Sequence, residues 1–218
     1  MSRVIALDGP AAAGKGTLAR KLAAHFGYAY LETGLLYRAV GIKVLRSRGD
    51  PADRDAAVKA AQELSAEDLE DEASLRTDEA ANAASLVAAI PEVRKVLVNF
   101  QRDFAARPPG GAKGAVIDGR DIGTVVCPDA WVKFFVTAGL EARANRRLKE
   151  LRERGNAGIP SRVLRDMQDR DARDCQRDTA PLRMADDAVL LDTTELNADE
   201  TFAAALKSIE ARGKTGSD

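Results

Sequence analysis

The sequence predicts an α/β fold in which a five-stranded parallel sheet carries helices on both faces. The prediction depends on five short apolar runs that are separated by helical patterns, and on a glycine-framed loop directly after the first run. With 218 residues, the chain is long enough to bury one sizeable core. The runs predicted to form strands are residues 4–7, 28–31, 115–117, 132–136 and 189–191.

The first element predicts a phosphate-binding loop between a strand and a helix, which indicates a site for a nucleoside triphosphate. Gly9 and Gly14 let the backbone curl so that its N–H groups point inward and form an anion nest. A helix that starts near Lys15 adds the positive end of its dipole, and the lysine supplies a mobile ammonium. The alternative is a plain glycine-rich turn. The predicted nucleotide-binding residues are Gly9, Pro10, Ala11, Ala12, Ala13, Gly14, Lys15, Gly16 and Thr17.

The loop departs from the pattern G-x-x-x-x-G-K-[ST] at one position. Gly16 stands where Ser or Thr is usual, and Thr17 follows one place later. Thr17 is the candidate metal ligand, for Mg²⁺. The sequence leaves open whether its hydroxyl binds the ion directly, through a water, or not at all.

Composition narrows the range of partners. The formal net charge is −1 although 31% of the residues are charged, which argues against bulk electrostatic binding to nucleic acid or to a membrane. Cys127 and Cys175 lie far apart, outside any metal-binding spacing, and are expected to be free thiols in a reducing compartment. No signal-peptide pattern precedes Val4, and no apolar run has the length of a membrane span. We expect a cytoplasmic protein that is a monomer.

Between the second and third strands, the sequence predicts helices interrupted by an acidic run. A turn at residues 32–34 opens a helix that continues to about Arg48. The charged residues 65–73 are predicted to be solvated surface, and helical periodicity resumes from Thr77. A further helix begins at Pro91. Its predicted apolar face carries Val93, Val96, Leu97 and Phe100.

Two of the predicted strands end beside polar residues suited to a ligand site. Thr33, Tyr37 and Arg38 fall near the start of the helix after the second strand, and ligands of open α/β sheets gather at that edge. Asp118 directly follows the third strand, a Walker-B-like arrangement typical of a residue that coordinates Mg²⁺. Two carboxylates that flank an arginine, as in residues 118–121, are costly to bury unless they bind something. The alternative is a plain loop.

Two arginine-rich helices follow the fourth strand, one before Gly155 and one after Pro160. Guanidinium groups suit bidentate phosphate contacts, so we interpret the pair, with the loop at residues 155–160, as a lid that excludes water. The alternative is two solvated helices joined by salt bridges. A phosphate loop and a separate set of arginines together indicate two phosphorylated ligands. The predicted holders of the acceptor monophosphate are Arg38, Arg120 and Arg177.

The sequence resembles bacterial cytidylate kinases, a family of P-loop nucleoside monophosphate kinases, over nearly its whole length. The most specific match is the run Asp-Gly-Arg-Asp-Ile-Gly-Thr-Val-Val at residues 118–126, followed by Ala-Asn-Ala-Ala-Ser at residues 81–85. The remaining matches are residues 5–10, 14–17, 33–38, 93–94, 170–171, 173–174, 177 and 180–182.

The resemblance implies a three-layer P-loop kinase fold that transfers the γ-phosphate of ATP to CMP or dCMP, with Mg²⁺ as cofactor. It also implies how one kinase domain, residues 1–218, is divided. The implied parts are a core at residues 1–33, 112–142 and 186–218, an insert that binds the nucleoside monophosphate at about 34–111, and a helical lid at about 143–178.

The matching motifs carry residue roles over to this chain. A carboxylate at Asp121 suits the exocyclic amine of cytosine, whereas uracil presents a carbonyl there that a carboxylate repels. The implied catalytic residues are Lys15, Arg120, Asp121 and Arg177. The implied substrate-binding residues fall into four groups, according to the part of CMP or of its pocket that they contact. Thr33 and Tyr37 line the pocket wall, and Ser85, Arg94 and Asp121 contact the cytosine base. Arg170 and Asp174 contact the sugar, and Arg38, Arg120 and Arg177 contact the phosphate.

The chain departs from the family pattern at three places. Thr33 stands where Ser is usual, and Gln168 stands where a lysine is common. A small strand-rich insert usually precedes the position of Arg76, and only the acidic run is present here. Two other hypotheses are a small P-loop kinase for another phosphorylated substrate, and a nucleotide-dependent switch. A GTPase switch would carry an Asn-Lys-x-Asp motif, which the sequence lacks, and would not need a second arginine set.

Overall fold

The computed structural model describes residues 3–155 and 158–215, and within them the five predicted strands form one parallel sheet. The strand order is β2-β3-β1-β4-β5, with residues 3–8 of β1 paired to β3 on one side and residues 5–8 paired to β4 on the other. The carboxyl ends of β1 and β3 therefore lie side by side. The strands are β1 (Arg3–Asp8), β2 (Ala29–Glu32), β3 (Gly114–Gly119), β4 (Val132–Thr137) and β5 (Val189–Asp192).

Helices connect the strands and supply two further parts of the molecule. The residues between β2 and β3 form a helical insert, and a pair of helices lies between β4 and β5. The helices are α1 (Lys15–Phe26), α2 (Thr33–Arg46), α3 (Arg54–Gln62), α4 (Glu72–Leu75), α5 (Asp78–Val87), α6 (Pro91–Ala106), α7 (Leu140–Glu153), α8 (Pro160–Gln176) and α9 (Ala198–Thr215).

The alternating side chains of β1 show why the fold has three layers. Ile5 and Leu7 pack in one core with residues of α1 and α9, whereas Val4 and Ala6 pack in another with residues of α6. Both faces of the central strand are buried, as expected of a parallel sheet covered by helices on each side. The predicted fold class is confirmed.

The helical insert has its own apolar core, formed by α2, α3, α5 and α6. Its helices approach closely because a glycine lies at one crossing. A Cβ atom on Gly41 of α2 would lie 2.7 Å from the Cβ of Ala83 on α5. The core residues include Leu36, Val40, Val87, Val93 and Leu97.

Two local predictions in the insert are wrong in detail. The expected turn at residues 32–34 is absent, since α2 begins directly at Thr33, whose hydroxyl donates to the Asp118 carbonyl at 2.7 Å. Phe100, expected on the apolar face of α6, is 49% exposed, and the buried residues of this helix include the polar Arg94 and Gln101.

The acidic run at residues 65–73 is mostly exposed, as predicted. It is partly ordered as a 3₁₀ turn and α4, and Asp68 in it accepts from Lys43 at 2.8 Å.

The remaining elements agree with expectation where they are described. Cys127 and Cys175 are free thiols. In the described part of the chain, no helix has both the length and the apolar character that crossing a bilayer requires. Residues 156 and 157 of the predicted lid loop lie outside the described residues.

The close crossing of α2 and α5 gives a prediction for stability. Gly41→Ala should lower the free energy of unfolding by about 1–3 kcal/mol, because the added methyl group must push apart two packed helices. Alanine has the higher helix propensity, so propensity alone would have the opposite effect. Urea unfolding measures the difference.

Gly34→Ala is the matched control in the same helix. A Cβ atom there would meet no atom within 4 Å, so this variant should be neutral or slightly stabilising. Equal stability of the two variants would contradict the tight crossing.

Candidate active site

The loop between β1 and α1 has the conformation that an anion nest requires. Ala12 and Gly14 have positive φ angles of 57° and 90°, which turn successive backbone N–H groups toward one side. Gly9 has a φ of 144°, and a Cβ atom there would lie 1.9 Å from the carbonyl oxygen of Val136. Only glycine allows the loop to leave the sheet so close to β4.

A cavity of about 700 Å³ opens in front of this loop. Residues from the loop form one wall, and residues of α5, α7 and α8 form the opposite walls. Of the nine predicted nucleotide-binding residues, Ala11, Ala12, Ala13, Gly14, Lys15, Gly16 and Thr17 line it, whereas Gly9 and Pro10 shape the loop behind them.

Lys15 and Asp118 are the buried charges at the floor of this cavity. The Lys15 ammonium donates to the Pro10 carbonyl at 2.8 Å, and burial together with the nearby Arg120 guanidinium lowers its pKa to about 7. Burial raises the pKa of Asp118 to about 6, although the Lys15 charge opposes this. Tyr30 donates its hydroxyl to Asp118 at 2.9 Å, which leaves the other carboxylate oxygen for a ligand.

A second, smaller cavity of about 50 Å³ adjoins the first and shares Gly34, Gly119, Arg120 and Arg170 with it. Ten residues were predicted to bind the acceptor, and nine of them line this cavity. They are Thr33, Tyr37, Ser85, Arg94, Arg120, Asp121, Arg170, Asp174 and Arg177.

Arg38 is the exception, because it lines the larger cavity. Its guanidinium donates to the Leu75 carbonyl at 2.7 Å, which holds α4 against α2. Burial lowers the pKa of Arg38 to about 10, against the opposing effect of Glu32. An anion near Arg38 would relieve both its desolvation and its repulsion by Arg147 and Arg120.

Buried ion pairs order the smaller cavity. Arg94 forms a hydrogen-bonded ion pair with Asp121, and both side chains are almost fully buried. The Arg94 guanidinium also lies over the Tyr37 ring, at 5.6 Å from its centre. Arg120 donates from Nε to Asp174 at 2.9 Å. Each carboxylate therefore holds one guanidinium at a defined position.

Other guanidinium atoms here are buried without partners. In the described residues, Nε of Arg170 and Nη2 of Arg177 have no hydrogen-bond partner. Burial and the neighbouring Arg120 charge lower the pKa of Arg170 to about 9. An unpartnered buried donor costs about 1–3 kcal/mol, so these atoms favour an anionic ligand between them.

Sequence reasoning missed the role of Asp8, which connects the start of the phosphate loop to the turn after β3. The Asp8 carboxylate accepts from the backbone N–H groups of Ile122 and Gly123, each at 2.7 Å. Burial raises the pKa of Asp8 to about 6, against those two bonds. Residues Ile122–Val126 form a π-helical turn that starts on this carboxylate. No local pattern marks an interaction between residues more than a hundred positions apart.

The sequence also did not assign the contacts that α7 and α8 make with α5. Arg147 pairs with Asp78, and Arg173 donates to Asn82 at 3.0 Å. Within α7 and α8, Arg143 pairs with Asp171 at 2.7 Å. Some arginines of these helices therefore form the expected salt bridges, whereas others line the cavities. The role of the two helices as a lid stays a prediction.

A phosphate-binding loop at the end of β1, beside a second cavity rich in guanidinium groups, is the arrangement of a P-loop kinase. The sequence comparison makes the class specific. The profile of the family described as cytidylate kinase matches residues 5–211. The chain belongs to the cytidylate kinase family.

Individual relatives agree with this assignment. The chain is 62% identical to a cytidylate kinase of Paramagnetospirillum magneticum (strain ATCC 700264 / AMB-1), with 97% of this chain and 100% of that protein covered. It is 58% identical to a cytidylate kinase of Rhodospirillum rubrum, with 93% and 95% covered.

Solved structures resemble the fold at low sequence identity. A gluconokinase from Sinorhizobium meliloti 1021 has a TM-score of 0.55 at 13% identity, covering 98% of this chain and 95% of that one. An uncharacterized protein from Eubacterium ventriosum ATCC 27560 has a TM-score of 0.55 at 16% identity, covering 95% and 98%. These similarities concern the fold alone.

The lowered pKa of Lys15 predicts that binding of a nucleoside triphosphate takes up a proton. In the free protein at pH 8, Lys15 is mostly neutral, because its pKa is about 7. A triphosphate beside it raises that pKa, so the uptake should approach one proton per nucleotide. Calorimetry with a non-hydrolysable ATP analogue, in HEPES and in Tris, should give a binding enthalpy that increases with the ionisation enthalpy of the buffer.

At pH 8 the neighbouring carboxylates do not contribute to the proton uptake. Asp8 and Asp118, with pKa values of about 6, are ionised at pH 8 before and after binding. At pH 6 the uptake by Lys15 should disappear, because the ammonium is already charged. A zero or negative dependence on buffer at pH 8 would contradict the prediction.

Proposed function

We propose that the protein transfers the γ-phosphate of ATP to CMP and to dCMP, forming ADP with CDP or dCDP. The observation that carries the proposal is the buried pair of Arg94 and Asp121 in a small cavity that adjoins the phosphate-loop cavity. Family membership supports the same reaction. Phosphoryl transfer needs two substrates in line and positive charge between them, and two adjoining cavities supply that arrangement.

The acceptor base is read by Asp121, Arg94 and Ser85 in this proposal. Asp121 accepts from the exocyclic amine of cytosine, as carboxylates do when they read cytosine elsewhere. Its ion pair with Arg94 holds the carboxylate in a defined direction. Uracil presents a carbonyl oxygen at the same position, and two acceptors facing each other in a dry pocket are disfavoured.

The acceptor phosphate is held by Arg120 and Arg177, with Arg38 on the side of the larger cavity. Arg120 lines both cavities, so its charge can act on the acceptor phosphate and on the γ-phosphate. Lys15 follows the transferred group from the donor side. Because phosphoryl transfer requires little covalent chemistry, these charges and the exclusion of water account for the catalysis.

The residues at the floor of the larger cavity fit Mg²⁺. A magnesium ion of a kinase uses one or two carboxylates or hydroxyls together with substrate phosphates, and no complete protein cage is needed. Thr17 and Asp118 line the cavity and would hold the ion. Within the described residues, no cluster of three or more acidic, histidine or cysteine side chains forms such a cage. When bound, Mg²⁺ neutralises charge on the triphosphate.

The division into parts follows the same proposal. Residues of about 34–111 bind the acceptor, and residues of about 143–178 form the lid over the donor. The sugar lies against Arg170 and Asp174, and Thr33 and Tyr37 complete the acceptor wall. A cytoplasmic location and a monomeric state remain predictions from the sequence.

Base selection by Asp121 gives the principal test. In a coupled assay of ATP consumption with CMP, dCMP, UMP and AMP, the wild-type protein should favour the cytidine substrates. Asp121→Asn replaces an acceptor by an amide that also donates, so the ratio of kcat/KM for CMP over UMP should fall by at least about a hundredfold.

The matched control is Asp178→Asn. Asp178 is exposed and directly follows Arg177, which lines the smaller cavity. The control variant should leave the ratio unchanged. Thermal unfolding shows whether the Asp121 variant keeps its fold, since a weakened buried pair also costs stability. Similar wild-type turnover with CMP and UMP would refute the role of Asp121.

Removal of the shared guanidinium should weaken any monophosphate. Arg120→Ala loses charge-assisted contacts to the acceptor phosphate at a cost of about 2–4 kcal/mol, so kcat/KM should fall by about 30-fold to 1,000-fold. The fall should be similar for CMP and UMP, because the contact does not involve the base. A change in base preference would contradict this assignment.

The magnesium site gives a separate prediction. Thr17→Ala should raise the Mg²⁺ concentration needed for half-maximal rate and lower kcat by about tenfold, because a ligand to the ion is lost. Thr17→Ser retains the hydroxyl and should stay within about twofold of wild type. Chelation of Mg²⁺ should abolish transfer. If Thr17→Ala behaves as wild type in both measurements, the hydroxyl is not a metal ligand.

A further inference from the structure

Arg173 on α8 makes a two-armed contact with α5. Its Nε donates to the Ser85 hydroxyl at 3.1 Å, and its Nη2 donates to the Asn82 amide oxygen at 3.0 Å. Positions 82 and 85 are three residues apart, so the two acceptors lie on the same face of α5. The fixed fork of a guanidinium matches this spacing, which a single ammonium could not.

The contact places Arg173 on the wall between the two cavities. Arg173 and Asn82 line the larger cavity, whereas Ser85 lines the smaller one. Ser85 is 5% exposed, so bulk water can form few hydrogen bonds with its hydroxyl. The run Ala-Asn-Ala-Ala-Ser, which the sequence singles out, therefore contributes lining residues to both cavities, with Asn82 in the larger and Ser85 in the smaller.

The bond from Arg173 also determines what the Ser85 hydroxyl can do. A serine hydroxyl has one proton and two lone pairs. Since Arg173 occupies one lone pair from the α8 side, the proton and the second lone pair remain for a ligand in the smaller cavity. Cytosine carries an unprotonated N3 and an exocyclic amine, whereas uracil carries a proton on N3 and a carbonyl oxygen in place of the amine. A hydroxyl held at one position meets this edge of the base in a defined geometry, which supports selection between the two bases.

We propose that Arg173 is a positioning residue for base recognition, which holds the Ser85 hydroxyl in place toward the acceptor base by anchoring it, together with Asn82, to the lid helix α8. The proposal rests on the proposed function, because it assumes that Ser85 faces the base. It adds that a residue of α8 outside the predicted base-reading set contributes to the selectivity of the acceptor cavity.

The test compares Arg173→Met with Arg165→Met in the full-length protein. Both arginines lie on α8, but Arg165 is exposed and does not line either cavity. Arg173→Met should raise KM for CMP by about tenfold, leave kcat and KM for ATP within about threefold, and narrow the preference for CMP over UMP. Arg165→Met should match wild type in all four quantities.

Two milder variants test the two arms of the contact. Arg173→Lys keeps the charge but loses the fork, so its KM for CMP should lie between those of wild type and Arg173→Met. Asn82→Ala removes only the second arm and should change KM for CMP in the same direction by a smaller factor. Thermal unfolding shows whether Arg173→Met folds. If it does not, these two variants still test the positioning role of Arg173.

The outcomes separate this inference from the proposed function. A wild-type protein that does not phosphorylate CMP refutes the proposed function. If the wild type is active and selective but Arg173→Met matches Arg165→Met, only the positioning role is refuted. A rise in KM for ATP without a change in base preference also refutes it, because Arg173 then acts on the donor.

Discussion

The constraint on which the structure depends is the crowding of desolvated positive charge at the carboxyl edge of the sheet. Burial lowers the pKa values of Lys15, Arg38 and Arg170, which means that the folded protein holds these cations at a cost. The apolar cores of the sheet and of the helical insert offset that cost. A phosphate that enters the cavities meets charges that water screens only weakly. Its binding therefore offsets the free energy that burial of these cations costs in the folded protein.

Carboxylates control how this charge is arranged. Asp174 fixes Arg120, Asp121 fixes Arg94, and Asp8 fixes the turn on which Arg120 and Asp121 depend. Removal of any one would leave a buried group unpartnered, which costs more than the pair itself contributes. The contact of Asp8 connects the start of the phosphate loop at the end of β1 to the turn at residues 122–126 after β3. The relative position of the two cavities is therefore set by the sheet.

The sequence was sufficient for the architecture, and nine of the ten residues it assigned to the acceptor line one cavity. Apolar runs marked all five strands, and capping residues such as Thr77 and Gly27 agree with the helix ends. It failed where a partner lies far along the chain. Arg94 falls off the predicted apolar face of α6 and is nevertheless buried, because Asp121 meets it there. The bonds of Asp8 and Arg173 are equally invisible, since no periodicity records a contact between distant segments.

The charged helices α7 and α8 show why composition alone left two interpretations open. Arg143 pairs with Asp171 and joins the two helices. On α8, Arg162 and Asp166 form an exposed pair. Arg170 lies on the same helix, and among the described residues its Nε has no hydrogen-bond partner. A salt bridge at the surface contributes little to stability, whereas an unpartnered guanidinium inside a cavity is costly unless a ligand meets it. Arginine serves both purposes on one pair of helices. Arg162, Asp166 and Arg170 all line the larger cavity from one face of α8, so the difference lies in how deeply each side chain is buried.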